Sequence, residues 1–328
     1  MSLGDPAGVG PELIAAAWAM RDEAGLPPFV VVDGADIIAA AARSHGLTVP
    51  VVRVATVADA CEAFSEGLPV WGEADCAYTP GTPTTQGAQA ALGSLDRAAA
   101  LLVAGKAAAL VTMPIAKSEL AKLGFAHPGQ TEFVAEACGL AAGDAVMMLA
   151  GPSLRAVPLT VHCALAEVPA MLSSELIIHK GRIVAAALRR DFGIANPRLA
   201  VCGLNPHAGE QGRIGREDTE VIAPAIAVLR ADGIDATGPH PADALFAPRG
   251  RASFDVALAM YHDQALIPVK ALDFDEGVNV TLGLPIVRTS PDHGTAFAIA
   301  GKGIADPGAT IAAIRMAADC AARRAAYG

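Results

Sequence analysis

The amino-acid sequence predicts an α/β fold with a largely parallel sheet, built as two lobes with a cleft between them. Short β-rich runs alternate with alanine-rich helical stretches along the chain, which is the pattern of repeated strand and helix units. Several of these runs are apolar on both faces, as expected for strands that helices cover on both sides. The length of 328 residues is close to the most that one hydrophobic core supports, so two lobes are expected.

Eight runs of β-branched and aliphatic residues lie between turn signals and are predicted to be strands. In chain order they are residues 29–32, 51–54, 108–113, 146–150, 156–161, 199–204, 256–261 and 278–287. The fourth and fifth runs are joined by Gly151, Pro152 and Ser153. This short connection predicts an antiparallel hairpin in the second lobe, as a local exception to the parallel sheet.

The alanine-rich segments between the strands are predicted to be helices, because alanine has the highest helix propensity. They are residues 35–44, 86–104, 174–190, 216–231 and 310–326. Ser174 is the predicted N-cap of the third helix, and Gly233 is a predicted stop signal after the fourth.

Charge and composition exclude two classes of function. The 24 Lys and Arg against 34 Asp and Glu give a net charge of −10, which argues against binding to a nucleic-acid backbone. The longest charge-free run, 76–95, contains Pro80 and Pro83 and does not predict a membrane span. The N-terminus lacks the basic start and apolar stretch of a signal peptide, so a cytoplasmic protein with six reduced cysteines is expected.

Three histidines, His162, His207 and His262, follow three of the predicted strands. Ligands of open α/β sheets bind beyond the carboxyl ends of the strands, so the three side chains could meet at one point. Three imidazoles suit Zn²⁺ or another divalent transition metal and leave positions open for substrate oxygens. The alternative interpretation is that they are capping or core histidines hydrogen-bonded to carbonyl groups.

A second set of residues suits an anionic ligand. Lys270, Asn279, Arg288 and the pair Gln130 and Thr131 are predicted to lie in polar turns or at strand edges. Arginine offers a bidentate fork, lysine a point charge, and the other three neutral donors, which together suit a small phosphorylated or carboxylated molecule. The alternative is that each residue simply solvates the surface.

Seven ordered motifs make the chain resemble the 4-hydroxythreonine-4-phosphate dehydrogenase family. They are GDPAGVGPEL (4–13), VTMPIAKSEL (111–120), HPGQTEF (127–133), CGLNPHAGEQGRIGRED (202–218), PADALF (241–246), YHDQALIPVK (261–270) and GVNVTLGLPIVRTSPDHGTAFAIAGKG (277–303). The resemblance implies a two-lobed fold like that of isocitrate and isopropylmalate dehydrogenases, with the active site in the cleft. We expect residues 1–125 and 265–328 to form the first lobe. Residues 126–264 should form the second, with the contacts of a homodimer.

The resemblance also assigns the metal ligands. The family positions matching His162, His207 and His262 bind a divalent metal, for which zinc, magnesium and cobalt are candidates. The ligands are drawn from both subunits of the homodimer, so the active site is shared.

The family's substrate contacts correspond to Thr131, Lys270, Asn279 and Arg288. The family usually has GHTE where this chain has GQTE, so Gln130 replaces a histidine that contacts the substrate. Glutamine can still donate a hydrogen bond to an anionic oxygen, but it cannot be protonated.

Residues 293–302 are similar to the adenosine-binding loop of the wider β-decarboxylating dehydrogenases. His293, Gly294 and Thr295 are therefore predicted to contact NAD or NADP. An acidic residue usually stands at the position of Ala298, where it binds the ribose hydroxyls and disfavours a 2′-phosphate. Because this chain lacks that acidic residue, the sequence does not distinguish NAD from NADP.

The implied reaction is the metal-dependent, NAD(P)-linked oxidation of 4-phosphooxy-threonine at its C3 hydroxyl. Decarboxylation to 3-amino-2-oxopropyl phosphate follows, as a step of pyridoxal phosphate (vitamin B6) biosynthesis. Asp243 and Asp263 are candidates for orienting the histidines or passing the proton, and Lys117 is a further candidate for passing the proton. Helix capping and salt bridges are the alternative roles for these three.

Other activities remain open on the sequence. Paralogues of the family oxidise phosphothreonate or a cis-dihydrodiol dicarboxylate, and Gln130 could mark such a change of substrate. A metal-dependent hydrolase, from a different class, would use three histidines and a bound hydroxide without a nicotinamide. A non-catalytic metal-binding protein would need neither the adenosine-type loop nor the cation set.

Overall fold

The computed structural model describes residues 1–327, and their strands and helices alternate as the sequence predicts. The chain divides into two compact units. Unit 1 contains residues 1–142 and 284–321, and unit 2 contains residues 143–283 together with the end of the chain.

Eleven strands lie within the described residues. They are β1 (Val31–Val32), β2 (Val51–Val54), β3 (Leu68–Trp71), β4 (Ala109–Val111), β5 (Val146–Ala150), β6 (Arg155–Pro158), β7 (Arg198–Cys202), β8 (Asp235–His240), β9 (Val256–Ala259), β10 (Val278–Leu282) and β11 (Val287–Pro291).

The same residues contain thirteen α-helices. They are α1 (Gly10–Ala19), α2 (Ala35–Ser44), α3 (Ala60–Ala63), α4 (Thr85–Val103), α5 (Lys117–Ala121), α6 (Gln130–Ala137), α7 (Val168–Met171), α8 (Ser174–Phe192), α9 (Ala223–Ala231), α10 (Ala242–Leu245), α11 (Pro248–Arg251), α12 (His262–Leu272) and α13 (Gly308–Tyr327). Within residues 1–327, no helix combines the length and the apolar character that crossing a bilayer requires.

Unit 1 is organised around parallel strands. β1, β3 and β2 form a three-stranded parallel sheet, and β4 pairs in parallel with β11. Ser2 bridges Val32 and Thr112, and so ties the end of β1 to the segment that follows β4. The buried faces of α1, α2 and α4 supply much of the core, largely through alanine, leucine and isoleucine side chains.

Unit 2 contains six strands in the order β10, β5, β6, β9, β7, β8. β5 pairs antiparallel with both β10 and β6, whereas the pairs β6–β9, β9–β7 and β7–β8 are parallel. The predicted hairpin is therefore confirmed. β9 is buried along its whole length, so the middle of this sheet is a core element.

The sequence-based prediction was wrong at several strands. The predicted run 278–287 covers β10 but only the first residue of β11, because the chain turns at Gly283, which adopts a φ of +87° and approaches the Asp144 carbonyl so closely that a Cβ would lie 2.0 Å from it. The prediction also missed β3 and β8, whose sequences LPVW and DATGPH lack a clear β pattern.

The helix predictions need two kinds of correction. The N-cap of α8 is Ser173 and not Ser174, because the Ser173 side chain accepts the hydrogen bond from the Leu176 amide. Eight helices within the described residues were also missed, and the three of eight residues or more among them are α1, α6 and α12. They begin in glycine- and proline-rich or polar motifs that the sequence analysis treated as turns.

Candidate active site

The three histidines of unit 2 follow three neighbouring parallel strands. His162 comes after β6, His207 after β7 and His262 after β9, and β9 pairs with both of the other strands. The predicted placement beyond the carboxyl ends of the strands is thus confirmed. Because β9 lies between β6 and β7, His262 follows the middle one of the three strands.

Two of the histidines face a common pocket. The ring centroids of His162 and His262 lie 6.1 Å apart, and both side chains line a cavity of about 310 Å³. Asp263 also lines this cavity, and its Oδ1 lies 2.7 Å from His262 Nδ1. A carboxylate can only accept, so Nδ1 carries the proton and Nε2 of His262 is the nitrogen able to bind a metal.

The segments that carry these histidines are tied together by hydrogen bonds. The Thr160 hydroxyl donates to the Met260 carbonyl at 2.8 Å, which joins the approaches to His162 and His262. Gln264 accepts from the Met260 amide at 2.7 Å and donates to the Gly203 carbonyl at 2.8 Å. Gln264 therefore links the ends of β9 and β7, a role that the sequence analysis missed.

His162 and His207 both have left-handed backbones, with φ of 52° and 54°. His207 opens a run of five residues in this conformation, which extends to Gln211. For a residue other than glycine the left-handed conformation costs roughly 1–2 kcal/mol, and such strain gathers at functional sites. Gly209 is the one residue of the run that adopts it freely.

No group of three His, Cys, Asp or Glu side chains within residues 1–327 of one chain is arranged to hold a metal ion. The resemblance implies ligands from two subunits, so the metal site formed by His162, His207 and His262 stays a prediction. The donor chemistry fits that prediction, because two strand-end imidazoles face one pocket and one of them already has a carboxylate partner.

In unit 1, a buried cation lies beside the start of α6. Arg288, on β11, is 3% exposed, and burial lowers the pKa of its guanidinium to about 10. Its Nη2 donates to the Thr112 hydroxyl at 2.7 Å and its Nη1 to the Thr131 hydroxyl at 3.2 Å. Both hydroxyls are neutral acceptors, and the nearby charge of the Glu132 carboxylate raises the guanidinium pKa against the effect of burial.

Gln130 and Thr131 are the first two residues of α6. The prediction that they lie in a polar turn or at a strand edge was therefore wrong. Gln130 Nε2 donates to the Met113 carbonyl at 3.1 Å. Lys117 reaches the same helix start, since its Nζ lies 3.5 Å from the position that a Cβ on Gly129 would take. The Glu132 carboxylate lies at the same place, with its Oε2 3.2 Å from that Cβ position. Unit 1 thus gathers two cations, one carboxylate and a helix N-terminus, of which the cations and the helix N-terminus favour an anion.

Several of the predicted ligand-binding residues carry a buried polar atom that has no hydrogen-bond partner among residues 1–327. These atoms are Gln130 Oε1, Asn279 Oδ1 and His293 Nε2. Buried polar groups are nearly always paired in folded proteins, so unpaired ones indicate where a ligand or water binds.

The predicted cofactor loop packs against the GDPAGVGPE turn in unit 1. The Thr295 carbonyl accepts from the Val9 amide at 2.9 Å and comes so close to Gly8 that a Cβ there would lie 2.7 Å from it. Glu12 accepts from the Gly301 amide at 2.8 Å, which fixes the far end of the loop. A motif that has no phosphate-binding pattern of its own therefore shapes this loop.

The remaining predicted residues lie in unit 2 or at its surface. Lys270 is in the last turn of α12, not in a polar turn or at a strand edge, and Asn279 is on β10. Asp243 is exposed in α10, a short helix that contacts the turn containing His207. Asp263 is therefore the predicted carboxylate that the structure pairs with a histidine.

Comparison with known proteins gives a consistent result along the chain. The family model described as "Pyridoxal phosphate biosynthetic protein PdxA" matches residues 26–317. A protein of Erythrobacter litoralis named 4-hydroxythreonine-4-phosphate dehydrogenase is 65% identical over 325 residues, covering 99% of this chain and 97% of its own. The Zymomonas mobilis protein of the same name is 52% identical over 328 residues, with 100% and 96% coverage.

Solved structures agree with this result and with the predicted α/β class. A 4-hydroxythreonine-4-phosphate dehydrogenase from Klebsiella pneumoniae has a TM-score of 0.87 and 36% identity, covering 98% of this chain and 96% of its own. A terephthalate 1,2-cis-dihydrodiol dehydrogenase from Burkholderia xenovorans has a TM-score of 0.65 and 31% identity, with 97% and 96% coverage. Since the family model and these relatives span nearly the whole sequence, the chain belongs to the pyridoxal phosphate biosynthetic protein PdxA family.

Proposed function

We propose that this protein is an oxidoreductase that converts 4-phosphooxy-threonine to 3-amino-2-oxopropyl phosphate, in the cytoplasm, as a step of pyridoxal phosphate biosynthesis. The observation that carries the proposal is the 65% identity, over 99% of the chain, to a relative named 4-hydroxythreonine-4-phosphate dehydrogenase. The reaction removes a hydride from C3 and a proton from the C3 hydroxyl. The resulting ketone lies β to the carboxylate, so carbon dioxide leaves and the ketone accepts the electron pair.

His162, His207 and His262 would hold the divalent metal, with ligands from both subunits of a homodimer. When bound, such a metal lowers the pKa of the substrate hydroxyl and polarises the ketone. The all-imidazole donor set favours zinc or cobalt over magnesium, which prefers oxygen ligands. Asp263 supports the assignment because it holds the His262 ring in the orientation that frees Nε2.

Arg288 and Thr131 would bind the anionic end of the substrate, together with Gln130 at the start of α6. The buried guanidinium supports this assignment, whereas the buried and unpaired Gln130 Oε1 is an acceptor and suits a donor group of the substrate. Lys270 and Asn279 are proposed as further substrate contacts, and Asn279 Oδ1 is likewise buried without a partner among residues 1–327.

The proton of the C3 hydroxyl needs an acceptor, and Asp263, Asp243 and Lys117 are the proposed candidates. Asp263 is paired with a proposed metal ligand, and the helix of Asp243 contacts the turn of another. Lys117 lies beside Gly129, next to the proposed substrate anion site.

NAD or NADP would bind at His293, Gly294 and Thr295 and accept the hydride from C3. The buried and unpaired His293 Nε2 supports a ligand at this loop. Ala298, in place of the usual acidic residue, leaves no carboxylate at that position to repel a 2′-phosphate, so both cofactors are to be tested.

A homodimer is proposed from exposed apolar side chains of unit 2. Leu165, Ile267 and Phe274 are 68%, 64% and 74% exposed, and Leu165 lines the same pocket as His162 and His262. Large apolar side chains exposed beside a functional site are typical of an interface that a partner covers.

Oxidation of a cis-dihydrodiol dicarboxylate is the second candidate function. The solved terephthalate 1,2-cis-dihydrodiol dehydrogenase covers 97% of this chain at 31% identity, and Gln130 departs from the usual histidine at a substrate-binding position. Such a substrate would need no phosphate, whereas 4-phosphooxy-threonine and phosphothreonate both carry one.

The test is a turnover assay of the purified protein with these three substrates, NAD⁺ or NADP⁺, and metal before and after chelation. We expect reduced nicotinamide with 4-phosphooxy-threonine, loss of activity on chelation, and recovery with Zn²⁺ or Co²⁺. If only the cis-dihydrodiol dicarboxylate is oxidised, it replaces 4-phosphooxy-threonine as the proposed substrate. Full activity after complete chelation would overturn the metal assignment.

A further inference from the structure

His207 is presented by a turn whose backbone cannot hold its own shape. The residues from His207 to Gln211 have φ between 46° and 74°, and four of the five are not glycine. An isolated peptide of this sequence would leave the left-handed conformation, because the Cβ of each residue crowds its own backbone. The fold must therefore contain a group that imposes this conformation.

Asp218 is placed to be that group. It is fully buried, with 0% exposure, and its carboxylate accepts three hydrogen bonds from the two residues that lead into the turn. Oδ1 accepts from the Leu204 amide at 2.9 Å, and Oδ2 accepts from the Asn205 amide at 3.2 Å and from Asn205 Nδ2 at 2.9 Å. Both oxygens are used, and each fixes the backbone before Pro206.

The backbone of the neighbouring glycines approaches this carboxylate closely. A Cβ on Gly203 would lie 2.6 Å from Asp218 Oδ1 and 2.8 Å from the Ala208 Cα. A Cβ on Gly209 would lie 3.1 Å from Asp218 Oδ2. The carboxylate thus touches the segment before the turn and also the middle of the turn, one residue beyond Ala208.

Asn205 extends the contact to the outer side of the turn. Its Nδ2 donates to Glu217 Oε2 at 2.8 Å as well as to Asp218, and a Cβ on Gly215 would lie 2.5 Å from the same nitrogen. Glu217 differs from Asp218 in that it is partly exposed and accepts from the Asn205 side chain, whereas Asp218 accepts from the Asn205 backbone amide as well. The side-chain amide of Asn205 is therefore bound by two carboxylates, the buried Asp218 and the partly exposed Glu217.

We propose that Asp218 is a positioning residue that holds His207 in the geometry needed to bind the metal, by imposing the left-handed turn of residues 207–211. This inference rests on the proposed function, in which His207 is a metal ligand. Asp218 touches neither metal nor substrate. It acts through the backbone of the turn. Loss of a residue that orients a metal ligand without touching the metal lowers metal affinity by about 10–100-fold.

The test measures Co²⁺ affinity of the full-length, chelator-treated protein, by visible absorbance of bound Co²⁺ and by competition with a chromophoric chelator. Asp218→Asn keeps the shape of the side chain but replaces one acceptor oxygen with an amide that opposes the Asn205 donors. We expect its dissociation constant for Co²⁺ to rise about 10–100-fold, with a changed absorption band. Glu217→Gln keeps an acceptor for Asn205 Nδ2 and is expected to stay within about twofold of the parent.

Two further variants separate positioning from general destabilisation. Leu229→Ala, at a fully buried leucine of α9 outside the turn, should lower the melting temperature while leaving Co²⁺ affinity unchanged. Adding Ala208→Gly to Asp218→Asn removes part of the left-handed penalty and should restore part of the affinity. Should Asp218→Asn fail to fold, Asn205→Ala removes only the side-chain donor and is expected to weaken Co²⁺ binding about threefold.

His207→Ala serves as the benchmark for both proposals. If it weakens Co²⁺ binding while Asp218→Asn, or Asn205→Ala in its place, does not, the positioning role is overturned and the metal site stands. If His207→Ala itself leaves Co²⁺ affinity unchanged, the proposed metal site is wrong and the positioning role is lost with it.

Discussion

Among single residues, Arg288 combines a full positive charge with almost complete burial. Its described hydrogen bonds go to the Thr112 and Thr131 hydroxyls, and burial lowers the pKa of its guanidinium to about 10, still far above neutral pH. Desolvating a cation is costly unless an anion compensates it. The Glu132 carboxylate supplies part of that compensation, and a bound phosphate or carboxylate would add to it.

Arg288→Lys should raise the KM for 4-phosphooxy-threonine about tenfold or more, equivalent to about 1.4 kcal/mol of lost binding. Lysine keeps the charge but cannot bond Thr112, Thr131 and an anion through one rigid fork. The measurement is steady-state kinetics at saturating cofactor. Arg315→Lys is the matched control in unit 1, since Arg315 donates to the Ala24 carbonyl away from these residues, and its KM should be unchanged. An unaltered KM in Arg288→Lys would show that Arg288 does not bind the substrate.

Sequence alone located the residues with distinctive chemistry but not those that hold them. His162, His207 and His262 are visible because imidazoles are rare and stand where apolar runs stop. Gln264 and Asp218 have no such signal, since their roles arise from hydrogen bonds to backbone groups 61 and 14 residues away. Only the folded chain brings those groups together.

At the scale of elements, hydrophobic periodicity predicted the long helices and missed those that begin inside a motif. α2 was predicted with its observed limits, because its apolar face follows the helical period. α6 and α12 were missed, since each starts with the polar residues of a binding motif, and α12 also contains Pro268. Functional polar residues at a helix start hide the pattern that predicts the helix.

The start of α8 gives a direct test of element stability. Ser173→Ala removes the acceptor for the Leu176 amide, and should lower the free energy of unfolding by about 1 kcal/mol. Urea unfolding followed by circular dichroism measures the change. Ser65→Ala, at an exposed serine outside any N-cap, should change it by less than about 0.5 kcal/mol. Equal effects of the two substitutions would show that the Ser173 cap contributes nothing specific.

At the scale of the whole molecule, the net charge of −10 coexists with one buried cation among the described residues, Arg288, which we propose binds an anion. Composition therefore predicts what the surface avoids, but not what a site binds. Most described Arg–Asp ion pairs are exposed, but Asp33 and Asp191 are buried. Asp191 is 4% exposed, and both of its oxygens accept hydrogen bonds from Arg190 and Arg324. Arg324 comes from the last helix, so this carboxylate anchors the end of the chain to α8.

This anchor predicts how the stability of the protein depends on pH. Burial alone would raise the pKa of Asp191, but the hydrogen bonds and charges of Arg190 and Arg324 outweigh burial and hold that pKa below its usual value of 3.8. The folded state therefore binds this proton more weakly than the unfolded chain, so the stabilisation is complete above the unfolded pKa and is lost as the pH falls through the folded pKa.

Arg324→Gln should consequently lower the free energy of unfolding by about 1–3 kcal/mol at pH 7, with a smaller loss near pH 3. Urea unfolding at both pH values measures the difference. Arg182→Gln is the matched control, because Arg182 pairs with Asp232 at the surface, where its side chain is 54% exposed against 19% for Arg324. We expect less than about 1 kcal/mol from the control at either pH. A loss in Arg324→Gln that is the same at pH 7 and pH 3 would show that packing of the arginine stem, and not the charge of Asp191, anchors the end of the chain.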